Sequence, residues 1–262
     1  MPAFDAGWLK PDWDSPGVGA LMTTRAGGVG KAPFDSLNLR DGLGDDPDAV
    51  AANQRQLSDA IGGSPVWLKQ VHGAAVVQLT WRDAAPGAAV YRADASFTTE
   101  PGVVCAVQVA DCLPVLFAAP GARGVAAAHA GWRGLAGGVL EASIAALCAA
   151  ARCEPAELQV WLGACIGPRR FEVGPDVLEA FSANTQGTQG THASDSEAFV
   201  ATQPGKWNAN LPELARRRLH AAGVRAVSGG DWCTVEAPSR FFSFRRDGVT
   251  GRMAAAVWIE RA

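Results

Sequence analysis

The feature of this sequence that most constrains its fold is a pair of short apolar runs, residues 115–119 and 124–128, separated by the sequence PGAR at 120–123. This pattern predicts two strands joined by a tight turn. In an antiparallel hairpin, the start of the first strand lies beside the end of the second. Cys112 precedes the first run and His129 follows the second. The hairpin would therefore bring a thiol and an imidazole together at one edge of a sheet.

A second histidine extends this candidate site. His72 lies in the sequence KQVHG at 69–73, after an apolar run at 65–68 that predicts another strand. After His129 the chain turns through Gly131 into a predicted helix at about 135–152. Two histidines and one cysteine in turns at strand ends are candidates for one reactive site.

Two chemistries fit this set, and spacing does not choose between them. In the first, His72, Cys112 and His129 hold a zinc ion and leave the fourth tetrahedral position to water, which ionises near neutral pH. In the second, His129 activates the Cys112 thiol as a nucleophile, and backbone amides near Gly131 stabilise an oxyanion. His192, in a polar segment, and His220, near a predicted helix C-terminus, are expected to lie outside the site.

The rest of the chain predicts a single α+β catalytic domain spanning residues 1–262, with a mobile surface segment at about 182–205 that is poor in apolar residues. No internal repeat or linker divides it. The main predicted elements are an edge strand near 18–24, a helix at 46–61, a buried strand at 103–109, a strand at 159–162, helices at 175–181 and 211–222, and a terminal hairpin pairing 241–246 with 253–259.

Composition excludes several classes of function. The net charge is −3, with no basic block, so we expect no nucleic-acid partner. No apolar run approaches the roughly 18–20 residues that span a bilayer, and the N-terminus lacks a secretory pattern. We therefore expect a cytoplasmic protein with no membrane partner. Its six cysteines include no CxxC pair and are expected to be free thiols or metal ligands.

Three motifs in this order, KQVHG at 69–73, ADCLPV at 110–115 and HAGWRG at 129–134, resemble those of the bacterial YfiH family. That family is also called the laccase-domain, polyphenol-oxidase or peptidoglycan-editing-factor family. The sequences SLNL at 36–39 and FSFRRD at 242–247 resemble it too, so the likeness covers nearly the whole chain.

The resemblance implies a layered α/β/β/α fold, similar to the cysteine-hydrolase domain of cytotoxic necrotizing factor. It also implies that His72, Cys112 and His129 are the metal-binding and catalytic residues. The donor set predicts Zn2+ as the cofactor, with Cu2+ as the alternative ion because it binds most N/S sites more tightly. Four histidines in the chain are too few for a four-copper laccase. A monomer or weak homodimer is expected.

The activities that the resemblance implies are phosphorolysis of purine nucleosides (adenosine, inosine and methylthioadenosine), adenosine deamination, and hydrolysis of a mis-made UDP-muramoyl-L-serine precursor. The leading hypothesis is a zinc-dependent purine nucleoside phosphorylase that binds a nucleoside and phosphate. The alternatives are a Cys-dependent amidase acting on the muropeptide precursor and a non-enzymatic metal-binding protein.

Four further residues are weaker candidates for the site. Arg25, Arg133 and Arg170 are candidates for binding a phosphate or nucleotide anion, because guanidinium groups match such anions bidentately. Zinc deaminases carry H-x-E and P-C-x-x-C motifs, which this chain lacks, so Asp111 is the nearest candidate for a proton carrier in deamination.

Many members of the family have Cys-Cys-Tyr after Ile-Gly-Pro, whereas this chain has Arg-Arg-Phe at 169–171.

Overall fold

The computed structural model describes residues 7–85, 87–183 and 195–261. In these residues the strands are β1 (Val18–Met22), β2 (Pro65–Val66), β3 (Val76–Gln78), β4 (Ala95–Thr98), β5 (Val104–Val109), β6 (Leu113–Ala118), β7 (Val125–Ala130), β8 (Gln159–Leu162), β9 (Glu172–Val173), β10 (Phe199–Gln203), β11 (Lys206–Ala209), β12 (Ala226–Gly229) and β13 (Met253–Ile259). The helices are α1 (Pro47–Ile61), α2 (Trp132–Ala136), α3 (Val139–Ala151), α4 (Pro175–Ala183), α5 (Leu211–Ala221) and α6 (Phe244–Asp247).

Two mixed sheets form the centre of the molecule. One has the strand order β1-β13-β5-β2 and the other the order β12-β8-β6-β7-β4-β3. A small third sheet, β10-β11-β9, lies beside α4 and α5 in the sequence. Within the six-stranded sheet, β6 and β7 form the antiparallel hairpin that the two apolar runs predict.

Three hydrophobic clusters show how the layers stack. One contains side chains of both sheets, among them Val107 and Val257 from the first and Leu116 and Ala127 from the second. The second cluster joins the other face of the six-stranded sheet to α2, α3 and α5, and the third joins the other face of the four-stranded sheet to α1. The order of layers is therefore helix, sheet, sheet, helix, which confirms the predicted α+β fold.

Helix α1 begins and ends as its sequence predicts. The Asp46 side chain accepts a hydrogen bond from the amide of Asp48, Pro47 occupies the first turn, and the helix ends at Gly62, which has a φ of 74°. The predicted helix at 135–152, in contrast, is two helices, α2 and α3. Gly138 has a φ of 92°, which separates the two helices, and α2 begins at Trp132, directly after the extended Gly131, rather than at residue 135.

The prediction of a terminal hairpin that pairs residues 241–246 with 253–259 is wrong. Residues 244–247 form the short helix α6, because the Ser243 side chain accepts a hydrogen bond from the amide of Arg246 and caps it. Strand β13 lies between β1 and β5 instead. Its seven residues are buried and contribute alternately to two of the three clusters, so both faces of β13 are covered by packed layers, as is typical of a central strand.

The predicted surface segment at about 182–205 is partly described. Its residues 195–203 contain a short 3-10 helix (Asp195–Ala198) and β10, so this portion has regular structure. Residues 184–194, with His192, lie outside the described residues. Among the helices of the described residues, none is both long and apolar enough to cross a membrane.

Candidate functional site

The β6–β7 hairpin places the predicted cysteine and histidine side by side. In its register Pro114 lies opposite His129 and Leu113 opposite Ala130, so Cys112 directly precedes the strand whose neighbour carries His129. His129 lies inside β7 rather than after it. His72 reaches the same place from the loop between β2 and β3.

The three side chains converge into one cluster. The Cys112 Sγ lies 3.8 Å from the His72 Nε2, and the two imidazole rings meet edge to face with centroids 4.8 Å apart. One ligand atom from each of the three residues lies within 4.8 Å of the others. His129 is buried, Cys112 is half-buried and His72 is exposed, so the cluster is accessible to solvent from the side of His72.

A buried carboxylate that the sequence analysis did not single out holds the cluster together. Asp94 Oδ1 lies 2.8 Å from His129 Nδ1 and accepts a 2.8 Å hydrogen bond from the amide of His72. Its Oδ2 accepts hydrogen bonds from the amides of Val71 and Gly73, at 3.1 and 2.7 Å. Both histidines are therefore positioned by one side chain, and the Nε2 of His129 is left for the cluster.

Electrostatics favour an ionised Asp94. Burial opposes ionisation, but the hydrogen bonds from His129 and from the amides of Gly73 and Val71 outweigh it and lower the pKa of Asp94. Asp94 faces four N–H groups, and only an ionised carboxylate can accept a hydrogen bond from each of them, because a protonated carboxyl would itself carry a donor. Asp94 therefore fixes the proton of His129 on Nδ1.

The electrostatics of the half-buried Cys112 and the buried His129 favour a thiolate–imidazolium pair in the metal-free protein. Burial opposes the charged form of Cys112, but the charge and hydrogen bond of His129, followed by those of His72, lower the pKa of the thiol to about 6. Burial also opposes the charged form of His129, whereas the charge of Cys112 and the hydrogen bond with Asp94 raise its pKa to about 9. Both charges are present between these values.

The backbone around the cluster is tightly constrained. A Cβ on Gly131 would lie 2.9 Å from the Cys112 Sγ and 3.1 Å from the ring of His72, so a side chain there would intrude into the cluster. His72 and Asp111 have φ values of 61° and 89°, in the left-handed region that disfavours residues with a Cβ. Strain of this kind is typical of functional sites and is maintained by the contacts around it.

Asp111 lies beside Cys112, but both of its carboxylate oxygens contact partners outside the cluster. Its two carboxylate oxygens accept hydrogen bonds of 2.6 Å from the Thr234 hydroxyl and from the amide of Arg245. It thus ties the C-terminal segment to the start of β6.

The three predicted anion-binding arginines have partners other than the cluster in the described part of the chain. Arg25 forms a 3.1 Å ion pair with Asp35 and donates to the carbonyls of Asp35 and Pro238. The exposed Arg133 lies over the Trp132 ring, and Arg170 forms an ion pair with Glu236. His220 is exposed in the last turn of α5, as its sequence predicts.

The donor set fits a zinc ion. Two imidazoles and a thiolate, with a fourth position open, are the pattern of catalytic zinc. Ligands at about 2.0–2.3 Å from one tetrahedral zinc lie roughly 3.3–3.8 Å apart, so atoms that lie within 4.8 Å of one another would approach by at most about 1.5 Å on binding. The carboxylate partner of His129 is the usual outer contact of a histidine that ligates zinc.

Comparisons with known proteins extend over nearly the whole chain. A purine nucleoside phosphorylase of Pseudomonas aeruginosa, PA4543, is 49% identical over 255 residues, which cover 97% of this chain and 98% of the relative. The purine nucleoside phosphorylase YfiH of Escherichia coli is 48% identical over 255 residues, covering 96% of this chain and 98% of the relative.

Solved structures agree with these relatives. YlmD from Geobacillus stearothermophilus superposes with a TM-score of 0.90 at 34% identity, covering 99% of this chain and 98% of that one. Protein NMB0706 of Neisseria meningitidis superposes with a TM-score of 0.88 at 42% identity, covering 97% of this chain and 100% of that one. The family model described as multi-copper polyphenol oxidoreductase laccase matches residues 19–260. With these relatives, that match shows that the chain belongs to the YfiH family, to which the laccase description is attached.

Proposed function

We propose that this protein is a zinc-dependent purine nucleoside phosphorylase, acting on adenosine, inosine and methylthioadenosine. The observation that carries the proposal is the convergence of His72, Cys112 and His129 into one cluster open to solvent on one side. The names of the relatives that match nearly the whole chain support the reaction type.

In this reaction a phosphate oxygen forms a bond to the ribose C1′ while the bond from C1′ to the purine nitrogen breaks and its electron pair moves to the base. His72, Cys112 and His129 would hold the zinc, with copper as the alternative ion, and the bound metal would supply a Lewis acid at the site. Asp94 keeps His129 in the tautomer whose Nε2 is free to bind the metal.

Product analysis tests the proposal. With adenosine and phosphate, the zinc-loaded protein should release adenine and ribose 1-phosphate, and His129→Ala should lower the rate by more than about 100-fold, since a metal site contributes several kcal/mol. His220→Ala is the matched control and should stay within about threefold of wild type, because a surface substitution is energetically mild. A comparable loss in both variants would place the site elsewhere.

The same product analysis would reveal adenosine deaminase activity, because deamination converts adenosine into inosine. Asp111, the candidate proton carrier, has both carboxylate oxygens occupied by the hydroxyl of Thr234 and the amide of Arg245. We therefore expect deamination to be a minor activity compared with phosphorolysis.

The second candidate function is Cys-dependent hydrolysis of a muramoyl-L-serine precursor. It is favoured by one observation, the position of the Cys112 sulfur between two imidazoles, with the Nε2 of His72 at 3.8 Å. These imidazoles lower the pKa of the Cys112 thiol to about 6 against the effect of burial, and a thiolate is the attacking form. Release of L-serine-containing product from that precursor, without phosphate, would favour it. Inactivity on both substrates would favour a metal-binding protein without catalytic activity.

Metal binding itself should release a proton near neutral pH. At pH 7.5 the pKa of Cys112, about 6, leaves it a thiolate, whereas the pKa of His129, about 9, leaves its imidazole protonated. Zinc must displace that proton from Nε2. Titration of the apoprotein with zinc in a weakly buffered indicator solution should therefore show about one proton released from this pair at pH 7.5. Cys112→Ser should release fewer, because without the thiolate charge His129 loses the main cause of its raised pKa.

A further inference from the structure

Two arginines that the sequence analysis did not single out lie side by side next to the cluster. Arg252 directly precedes β13, and the register places Met253 opposite Val109, three residues before Cys112. The Asn38 Oδ1 accepts hydrogen bonds from the amides of both Arg40 and Arg252, at 3.1 and 2.9 Å. The buried Asn38 side chain therefore holds the two arginines as backbone neighbours.

The same region is tied to the loop that carries His72. The Gln108 side chain donates to the carbonyl of Leu39, and Leu39 donates its amide to the carbonyl of Arg252. The Gln70 side chain exchanges two hydrogen bonds with the backbone of Gln108, at 2.9 and 2.8 Å. Because Gln70 lies two residues before His72, the arginines and the metal-binding loop share one buried hydrogen-bond network.

Neither guanidinium has a carboxylate partner. In the part of the chain that the structure describes, no Asp or Glu oxygen lies within ion-pair distance of Arg40 or Arg252, although both side chains are half-buried. Arg252 Nη1 donates to the carbonyls of Thr250 and Gly251, which fixes the guanidinium without neutralising it. A bound anion would offset the cost of withdrawing these two charges partly from water.

The electrostatics of Arg252 agree with this arrangement. Burial, followed by the positive charge of Arg40, lowers the pKa of Arg252, while the charges of Cys112 and Asp111 oppose that change. Arg252 is therefore close enough to interact electrostatically with both Arg40 and Cys112. The carboxylate oxygens of Asp111 accept hydrogen bonds from the Thr234 hydroxyl and the Arg245 amide rather than from either guanidinium. Among the described residues, Arg40 and Arg252 therefore have no direct anionic contact, and zinc bound to the Cys112 thiolate would weaken the attraction that this sulfur exerts on Arg252.

We propose that the guanidinium groups of Arg40 and Arg252 form the phosphate subsite of this protein, a proposal that rests on the phosphorylase function proposed above. Two adjacent guanidiniums match the charge and geometry of a phosphate dianion. Phe244, an exposed ring whose centroid lies 5.7 Å from the Arg252 guanidinium, offers an apolar surface for a nucleoside beside it. Phosphate held there would be adjacent to the cluster where the nucleoside reacts.

Steady-state kinetics test the subsite. Arg252→Gln should raise the KM for phosphate by about 10- to 100-fold, while the KM for the nucleoside stays within about threefold, since a charged hydrogen-bonding partner of phosphate is lost. Arg252→Lys should recover part of the affinity, because it restores the charge without the planar fork. Arg40→Gln should act in the same direction, and its side chain makes no hydrogen bond within the described structure that folding would lose. Arg82→Gln, an exposed arginine beyond β3, is the matched control.

A binding measurement separates this proposal from the proposed function. Inorganic phosphate should raise the Tm of the zinc-loaded wild type and of Arg82→Gln, and should have a much smaller effect on Arg252→Gln and Arg40→Gln. That result in a protein without phosphorolysis would support the subsite and contradict the phosphorylase function. Phosphorolysis with an unchanged KM for phosphate in both variants would overturn the subsite and leave the function intact.

Discussion

Removal of the metal with a chelator will abolish nucleoside phosphorolysis, and addition of zinc will restore it. The reason is that without metal the Cys112 thiolate is paired with the protonated His129, whose Nε2 carries a proton instead of binding zinc, so the site lacks its Lewis acid. The expected loss is more than about 100-fold, measured as ribose 1-phosphate formed per minute before chelation, after it and after zinc addition. Phosphorolysis that survives complete demetallation would contradict the mechanism.

The amidase candidate should respond in the opposite way. A Cys112–His129 pair attacks through the free thiolate, so zinc would occupy the sulfur and chelation should leave amidase activity unchanged or increase it. Cys112→Asp separates the roles further. A carboxylate oxygen can replace the thiolate as a zinc ligand, so this variant should keep some phosphorolysis but no amidase activity.

The local part of this site is predictable from the sequence because it depends on short-range patterns. Two apolar runs and a turn are sufficient to predict the β6–β7 hairpin, and the hairpin brings Cys112 to His129. Helix α1 was predictable for a similar reason, because its cap and its proline lie within three residues of each other.

The parts that were not predictable depend on long-range contacts. Asp94 contacts residues 22 and 35 positions away, and in the sequence it is one aspartate before a short strand. Its only signal is a charged residue directly preceding a buried strand, where a carboxylate requires partners. Arg252 likewise resembles an ordinary turn residue until β13 is placed between β1 and β5. Apolar periodicity does not specify which strands pair, and for this reason the prediction that residues 241–246 pair with 253–259 is wrong.

Asp94→Asn should lower the affinity for zinc by about 10- to 100-fold and the rate of phosphorolysis with it, as is typical when the outer partner of a metal-ligating histidine is lost. Each carboxylate oxygen of Asp94 accepts from two N–H groups, one pair being the His72 amide and His129 Nδ1 and the other the amides of Val71 and Gly73. Whichever position the new NH2 group takes, it faces two donors and leaves them without an acceptor.

If the NH2 group faces His129, the imidazole can satisfy it only by moving its proton from Nδ1 to Nε2, the nitrogen that should bind zinc. If it faces the Val71 and Gly73 amides, the loop that carries His72 loses its anchor. Either outcome weakens the metal site while the core of the sheets stays intact. The measurements are zinc affinity by competition with a chromophoric chelator and phosphorolysis at saturating zinc. Asp83→Asn, which removes another carboxylate that accepts backbone and side-chain hydrogen bonds outside the cluster, is the control and should change neither quantity. An Asp94→Asn variant with wild-type zinc affinity would show that His129 does not depend on this carboxylate for its orientation.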